Sequence, residues 1–426
     1  MASEIKVTNI KANDGTASLT IANSTGAITE VKTGTIKAAD GTAGMTIANS
    51  TGAIAASNNL TVSGDLVPST PLSNRNMIIN GGMQVFQRAT TATAATTTYD
   101  TVDRWRLYEN TDGAYTSEKH TMALAELNTT GHRTALKLAC TTADASIASG
   151  QYSYFYTALE GQDCQRLQYG TANAKNITIS FWVKSNKTGI YNISIYNDAT
   201  TNYQVSKNYT ISSADTWEQK KITITPTEGS TSLITGSGGL IANDNTQAIM
   251  LYFGLAWGSS LSSSAVDTWV VGGTAYGNSS QVNWMDSTTN NFYITGVQLE
   301  LGSSATPFEH RSYGEELARC QRYYTIIPTQ FGQIALGDGS TNGVLMLTVP
   351  VPLRHTPAIE QINSVNHRIY KDGYVVSTSN HIGFNSYTAD TCFVKATFAG
   401  FSSITLGHTY QWLPIGSYKL GINAEL

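Results

Sequence analysis

Asn176–Ser185 reads NITISFWVKS and Gln247–Gly258 reads QAIMLYFGLAWG, and these two stretches decide the fold class of the 426-residue chain. In both, large apolar side chains stand at every second position, which is the period of a β-strand with one buried face. The side chains predicted to face a core are Ile177, Ile179, Phe181 and Val183 in the first stretch and Ile249, Leu251, Phe253, Leu255 and Trp257 in the second. Both stretches are therefore predicted to be strands that pack on one face.

Segments of the same kind lie on both sides of these two, with polar turns and no helical period between them. They are TALKLAC (Thr134–Cys140), QYSYFYTAL (Gln151–Leu159), GIYNISIYN (Gly189–Asn197), WEQKKITITP (Trp217–Pro226) and NFYITGVQLELG (Asn291–Gly302). Many short strands joined by turns indicate an all-β, antiparallel sandwich. We assign Trp105, Trp217 and Trp257 to packing within it.

One helix is predicted, at Ser312–Tyr324, where the sequence reads SYGEELARCQRYY. Leu317, Cys320 and Tyr324 recur at helical spacing, and two glutamates near the N-terminus suit the helix dipole. The helix is short, so we interpret it as a connector between two domains and not as a trimerising coil. The residues after the helix again show the pattern of short strands, and they are numerous enough to form a small C-terminal β-sandwich.

The start of the chain contains one 19-residue motif twice, at 10–28 and again at 36–54, with three differences between the copies. Burying the four larger apolar side chains of one copy contributes about 6–12 kcal/mol. Ordering the backbone of one copy costs about 20–40 kcal/mol. One copy cannot fold alone, so the sequence predicts a β-repeat shaft wound from several identical chains. A flexible tether is the alternative.

The composition excludes several function classes. The formal net charge is only −4 and charged residues make up 13% of the chain, so no partner nucleic acid or anionic membrane is expected. No signal peptide and no membrane-inserting segment are predicted. Cys140, Cys164, Cys320 and Cys392 are far apart and form no CxxC pair, and the histidines form no metal-binding motif, which predicts free thiols and no metal site.

The two ends of the predicted sandwich carry a family resemblance. MIINGGMQVFQR followed by YDTVDRW at its start, and FYITGVQLELGSSATPFEHRSYGEELARCQRYY at its end, resemble the jelly-roll module of bacteriophage tail fibre proteins. That module is similar in turn to jelly-roll carbohydrate-binding modules. The stretch LTVPVPLRHTPAIE at Leu347–Glu360 resembles the opening of the second β-domain that follows the module in such fibres.

The resemblance implies four regions. They are an attachment segment and repeat shaft at 1–72, a jelly-roll domain at 73–311, a connector helix at 312–324 and a C-terminal β-sandwich tip domain at 325–426. It further implies a homotrimer, intertwined in its shaft, that is made in the host cytoplasm and mounted in the virion through other tail proteins at its N-terminus.

The function implied by the resemblance is binding of a host cell-surface receptor, a polysaccharide or lipopolysaccharide, during adsorption. No pair of carboxylates placed for glycan cleavage is recognisable, so we expect no enzymatic activity. A tailspike-type glycan depolymerase and a purely structural decoration fibre remain the alternatives. Family members often hold a calcium ion through a Glu and an Asp where this chain has Gln84 and Thr295-Gly296. Neutral ligands bind calcium weakly, so we predict no cofactor.

Aromatic side chains that point away from the core could stack on sugar rings. In the two opening stretches these are Trp182 and Tyr252, and a loop or a neighbouring subunit covering them is the alternative. A second candidate surface is the long Gly/Ser-rich loop with Trp269, Tyr276 and Trp284. A third is the C-terminal domain, with Tyr374, His381, Tyr387 and Trp412 in or beside its turns.

Overall fold

The computed structural model describes six strands before residue 73, and residues 73–426 with eleven gaps. The gaps are 94–96, 264–265, 274–275, 329–332, 338–342, 362–366, 372–373, 380–382, 388–392, 400–403 and 415–418. The chain divides into two compact units, residues 1–69 and residues 70–426.

The first unit contains the two copies of the repeat as two three-stranded antiparallel sheets. The strands are β1 (Asn9–Lys11), β2 (Ala17–Ile21), β3 (Ile28–Val31), β4 (Thr35–Lys37), β5 (Ala43–Ile47) and β6 (Ile54–Ala56). Ile10 pairs with Leu19 in the first copy and Ile36 with Met45 in the second, and the same register irregularity follows both isoleucines. The predicted strands of the repeat are confirmed, and the number of chains in the shaft stays a prediction.

The second unit begins with fifteen strands, of which thirteen form a sandwich of two sheets and two form a separate parallel pair. These are β7 (Thr91–Thr93), β8 (Thr97–Thr98), β9 (Arg106–Glu109), β10 (Ala114–Thr121), β11 (Thr134–Thr142), β12 (Tyr152–Glu160), β13 (Ile177–Ser185), β14 (Gly189–Asn197), β15 (Tyr203–Ile211), β16 (Glu218–Ile224), β17 (Gln247–Trp257), β18 (Ser262–Ser263), β19 (Val270–Val271), β20 (Gly277–Asn278) and β21 (Asn291–Leu301). One sheet has the order β16-β13-β21-β11-β10-β7 and the other β19-β15-β14-β17-β12-β9-β8.

The core lies between these two antiparallel sheets. Phe181 of the six-stranded sheet meets Phe253 of the seven-stranded sheet edge to face, with ring centroids 5.1 Å apart. Every side chain that the alternation assigned to the core is buried except Trp257, which is treated below. Trp105 is buried in the same core. The antiparallel β-sandwich predicted from the sequence is therefore confirmed.

The described part of the chain also contains three α-helices: α1 (Leu124–Thr130), α2 (Gly161–Cys164) and α3 (Tyr313–Gln321). The predicted helix is α3, and the side chain of Ser312 caps it by accepting a hydrogen bond from the backbone N–H of Glu315 at 3.2 Å. The sequence did not predict α1 or α2, because seven and four residues are too few to establish a helical period.

The ten strands after α3 form two further sheets. They are β22 (Tyr324–Pro328), β23 (Gln333–Gly337), β24 (Gly343–Thr348), β25 (Ala358–Gln361), β26 (His367–Lys371), β27 (Tyr374–Ser379), β28 (Gly383–Tyr387), β29 (Phe393–Ala399), β30 (Thr409–Pro414) and β31 (Lys419–Asn423). A three-stranded sheet has the order β22-β31-β25, and a seven-stranded sheet has the order β27-β26-β30-β23-β24-β29-β28. The last strand thus returns to pair with the first strand after the helix.

Charged side chains attach this region to the sandwich at both of its ends. Arg322, just before β22, donates hydrogen bonds of 2.9 and 3.0 Å to the carboxylate of Glu160. Glu425, just after β31, accepts hydrogen bonds from Arg88, at 3.3 Å, and from Arg104. The residues after the last strand therefore lie against the sandwich.

Cys140, Cys164 and Cys320 are buried free thiols, and Cys392 lies outside the described residues. None of the helices in the described part of the chain is both long and apolar enough to cross a membrane. Within the same residues, no three His, Cys, Asp or Glu side chains are grouped so that they could hold a metal ion.

Candidate functional site

A β-bulge turns Trp257 out of the core. In the pairing of β12 with β17, Tyr154 faces Gly254 but Ser153 faces Ala256, so Leu255 is an extra residue. After the bulge the alternation reverses, and Ala256 joins the core. The prediction that Trp257 faces the core is wrong for this reason, and the indole lies on the outer face of the seven-stranded sheet.

On that outer face five half-buried aromatic rings form one continuous stack across the strands. We call the aromatic stack the rings of Tyr108 on β9, Tyr154 on β12, Trp257 on β17, Tyr276 from the loop before β20, and Tyr196 on β14. Successive centroids are 5.0, 4.9, 5.6 and 6.2 Å apart, and the interplanar angles lie between 9° and 20°. Rings this far apart overlap only in part, because aromatic planes in contact are about 3.5 Å apart.

Two glycines make room for the indole at the centre of the stack. A Cβ atom on Gly254 would overlap the indole nitrogen of Trp257, and one on Gly277 would overlap its five-membered ring. Trp257 Nε1 donates a hydrogen bond of 2.9 Å to Asn192 Oδ1, and Asn192 Nδ2 donates to the carbonyl of Tyr276. Asn192 thereby ties the loop that carries Tyr276 to the sheet.

The stack borders a cleft of about 640 Å³. We call it the aromatic cleft, lined by Arg106, Tyr108, Tyr154, Tyr156, Tyr196, Asp198, Asn202, Thr246, Gln247, Met250, Tyr252, Tyr276, Arg354 and Leu426. Its floor is firm, because the buried rings of Tyr156 and Tyr252 stack at 5.1 Å. Arg354 and Leu426 come from the region after α3, so both parts of the second unit build the cleft.

The phenols of Tyr154, Tyr252 and Tyr276 are neutral at physiological pH. Burial, together with the nearby Tyr196 and Asp198, raises the pKa of Tyr276 to about 12. Burial also raises the pKa values of Tyr154 and Tyr252 above their ordinary value. Neutral phenols both donate and accept hydrogen bonds. The cleft therefore offers apolar ring surface and uncharged hydroxyl groups side by side.

Among the predicted site residues whose side chains the structure describes, it brings two together. Tyr252 and Tyr276 lie in the aromatic cleft, with ring centroids 5.3 Å apart. Trp182 lies on the outer face of the opposite sheet, half-buried against a small cluster that contains Trp217 and Tyr293. Tyr374, Tyr387 and Trp412 fall in β27, β28 and β30, but their side chains and the whole of His381 lie outside the described residues.

The prediction that Trp269 and Trp284 form a contact surface is wrong. Trp269 is 1% exposed, and its Nε1 donates a hydrogen bond of 2.8 Å to the carbonyl of Thr225. Trp284 is fully buried and meets Tyr115 edge to face, with centroids 6.0 Å apart. The long loop folds back over the sandwich, so these two indoles complete the core instead of facing solvent.

The sequence contains a pattern that could have predicted the other tyrosines of the cleft. In QYSYFYTAL, Tyr152, Tyr154 and Tyr156 recur at every second position, opposite to the buried Phe155. The same alternation, applied to β14, separates Tyr196 from its buried neighbours. A run of tyrosines with period two on the solvent side of a strand indicates an aromatic surface.

The residues at the position where the sequence resemblance places calcium do not fit that ion. The hydroxyl of Thr295 lies 2.8 Å from the carbonyl oxygen of Thr134 and 3.3 Å from that of Gly82, and it donates to them. A proton donor thus stands where the resemblance places a cation, beside the uncharged Gln84. We derive no role for calcium in this chain.

No protein-family model matches the sequence, and no curated protein matches it. Among solved structures, the family 11 carbohydrate-binding module of a cellulosomal cellulase of Clostridium thermocellum is 13% identical, with a TM-score of 0.25, over 53% of this chain and all of that one. The module TmCBM61, in complex with β-1,4-galactotriose, is 10% identical, with a TM-score of 0.23, over 54% of this chain and all of that one.

The enzymatically active domain of tailspike protein 4 of bacteriophage CBA120 is 13% identical, with a TM-score of 0.26, over 53% of this chain. The match covers 21% of that tailspike chain. Likenesses of this size do not carry the activity of those proteins over to this chain, whose function has to be argued from its own residues.

Proposed function

We propose that this chain binds a glycan in the aromatic cleft and serves as a non-enzymatic, receptor-binding tail fibre of a bacteriophage. The observation that carries the binding is the aromatic stack, five half-buried rings in line across one sheet. Sugar rings have apolar C–H faces and a polar rim of hydroxyl groups. A wall of partly exposed rings with neutral phenols at their edges complements both features.

Binding without cleavage is favoured by the charges of the cleft. Hydrolysis of a glycosidic bond uses two carboxyl groups, about 5–10 Å apart, on either side of the bond. Asp198 is the only side-chain carboxylate among the described residues that line the aromatic cleft. Among the described residues, the lining therefore offers no second side-chain carboxyl group of the kind that a tailspike-type depolymerase would use.

The fibre role is supported by the repeats and by the family resemblance of the sandwich ends. Each copy of the repeat forms three strands of only three to five residues, too few to bury a core within one chain. Three chains wound together would share one core and would mount three clefts on one shaft. Joining weak sites in this way raises avidity by about 10²–10⁴ without any new contact.

Replacing Tyr154 by alanine is expected to weaken glycan binding by at least about tenfold, because the stack loses a member that touches rings on both sides. The measurement is binding of the full chain to an array of bacterial surface polysaccharides. The matched control is Tyr313→Ala, which removes an exposed tyrosine from α3. Equal binding by both variants and the unchanged protein would rule out the aromatic cleft as the site.

The full chain is expected to be a trimer, with a mass in light scattering of three times the 45.7 kDa of one chain. A variant without residues 1–69 should associate less, because it lacks the repeats but keeps the sandwich and its core. A monomeric full chain would contradict the fibre proposal, while leaving glycan binding by a single cleft open to the array measurement.

A further inference from the structure

Arg106 reaches into the aromatic cleft from β9, held by aromatic side chains. Its Nη1 donates a hydrogen bond of 3.1 Å to the hydroxyl of Tyr156. Its guanidinium carbon lies 5.0 Å from the ring centroid of Tyr108 and 5.7 Å from that of Tyr99. Its Nε is buried and has no hydrogen-bond partner. These contacts fix the position of the guanidinium but leave its charge in place.

Arg354 lines the same cleft from the region after α3. Its Nε donates to the carbonyl of Ala424 at 3.0 Å, its Nη1 to that of Asn245 at 2.6 Å and its Nη2 to that of Glu425 at 2.9 Å. All three partners are backbone carbonyls, which orient a guanidinium but carry no formal charge. Like Arg106, it has no carboxylate within 4 Å among the residues that the structure describes.

Two arginines close to the cleft differ from Arg106 and Arg354 in this respect. Arg104, two residues before Arg106, is paired with Glu425. Arg322 is paired with Glu160 at 2.9 Å. These two neighbours each have a carboxylate partner, while the two arginines that line the cleft have none among the described residues.

The side chains that line the cleft carry a net positive charge, because the described lining contains two arginines and one aspartate. Asp198, the one side-chain carboxylate of the described lining, is approached by Gln247 Nε2 at 3.5 Å and forms no ion pair with either arginine. A guanidinium that is fixed by its surroundings and keeps free N–H groups is suited to an oxyanion. The chain as a whole is acidic, so this local charge is not a consequence of composition.

We propose that the glycan in the aromatic cleft is acidic, and that Arg106 and Arg354 hold its anionic group. The group is a carboxylate of a uronic acid or a phosphate ester, since both present the oxygen pair that a guanidinium binds. The inference rests on the proposed glycan binding and adds the charge class of the ligand. Ring stacking holds the sugar faces, and the two arginines select chains that carry negative charge.

The test measures binding of the full chain to three acidic probes and their neutral counterparts by calorimetry. The acidic probes are oligomers of galacturonate, oligomers of mannuronate and a phosphate-bearing mannan. The neutral ones are the two uronate oligomers after reduction of their carboxyl groups and the mannan after removal of phosphate. We expect tighter binding of an acidic probe than of its counterpart, and the probe that binds distinguishes carboxylate from phosphate.

Arg106→Gln should weaken binding of the acidic probe by about ten- to a hundredfold, and should weaken binding of the neutral counterpart by much less. The control is Arg319→Gln, which removes the same charge from an exposed pair with Glu315 on α3. Binding of the acidic probe to the unchanged protein should also weaken as salt is added, which needs no variant.

The possible outcomes separate the proposal of an acidic ligand from the proposal of glycan binding. Equal or tighter binding of the neutral probes, or binding of an acidic probe that neither Arg106→Gln nor salt weakens, overturns the acidic ligand and leaves glycan binding standing. Binding to none of the six probes counts against both proposals. A parallel loss in Arg106→Gln and Arg319→Gln assigns the effect to overall charge and overturns the role of the cleft arginines.

Discussion

Replacing Glu425 by alanine is expected to lower the free energy of unfolding by about 3–5 kcal/mol, because it leaves a buried charge unpaired. Arg104 is 1% exposed, and its guanidinium pairs with this carboxylate and donates a further hydrogen bond of 2.7 Å to the carbonyl of Ala158. Burial lowers the pKa of Arg104, but Glu425 together with Tyr323, Tyr99 and Cys320 outweighs burial and raises that pKa above its ordinary value. The ring of Tyr323, 3.5 Å from the guanidinium, cannot replace a carboxylate.

The measurement is urea denaturation followed by tryptophan fluorescence. The matched control is Glu315→Ala, which breaks an exposed pair with Arg319 on α3 and should cost at most about 0.5 kcal/mol. The double replacement Arg104→Met with Glu425→Met should recover much of the loss, since no buried charge is then left alone. A loss in Glu425→Ala no larger than in the control would show that the pair does not hold the end of the chain.

This ion pair also bears on function. Glu425 fixes the segment after β31, and the carbonyl of Glu425 orients Arg354 at 2.9 Å. The wall of the aromatic cleft that comes from the last region is thus held by contacts made deep in the sandwich. Weakening the pair should disturb the cleft as well as the fold, so binding assays on Glu425 variants need a stability measurement beside them.

Local rules predicted the strands well and failed where the register changed. Alternation placed the core residues of β13 correctly along its whole length, because that strand keeps its period on the core side. It failed at Trp257, where one extra residue reverses the faces of β17. A bulge depends on the partner strand, and Gly254, a residue typical of bulges, does not by itself fix which residue of β17 is the extra one.

Contacts between residues far apart in the sequence could not be predicted from local patterns. Arg104 and Glu425 are 321 positions apart in the chain, and only the return of β31 to the sandwich brings them together. Trp269 and Trp284 were misplaced for a related reason, since a Gly/Ser-rich loop can either extend into solvent or fold back on a core. The period-two tyrosines of β12 show the opposite case, in which a local pattern suffices to find part of a site.

Gly254→Ala is expected to weaken glycan binding by at least about thirtyfold, a loss of about 2 kcal/mol. The added methyl group would overlap both the indole nitrogen of Trp257 and the side-chain oxygen of Asn192. The indole must then leave its place between Tyr154 and Tyr276, so the stack is broken at its centre. Stability should fall by only about 1–3 kcal/mol, because the indole is half-buried and can move outward.

Affinity for surface polysaccharides and urea denaturation separate these two effects. Gly150→Ala serves as the control, since a Cβ atom there meets no other atom within 4 Å. If the glycine acts by shaping the slot for Trp257, then Trp257→Ala alone should lose as much affinity, and adding Gly254→Ala to it should lose little more. Additive losses would mean that the glycine contributes to binding independently of the indole, and the slot would then not be the means by which the bulged strand builds the site.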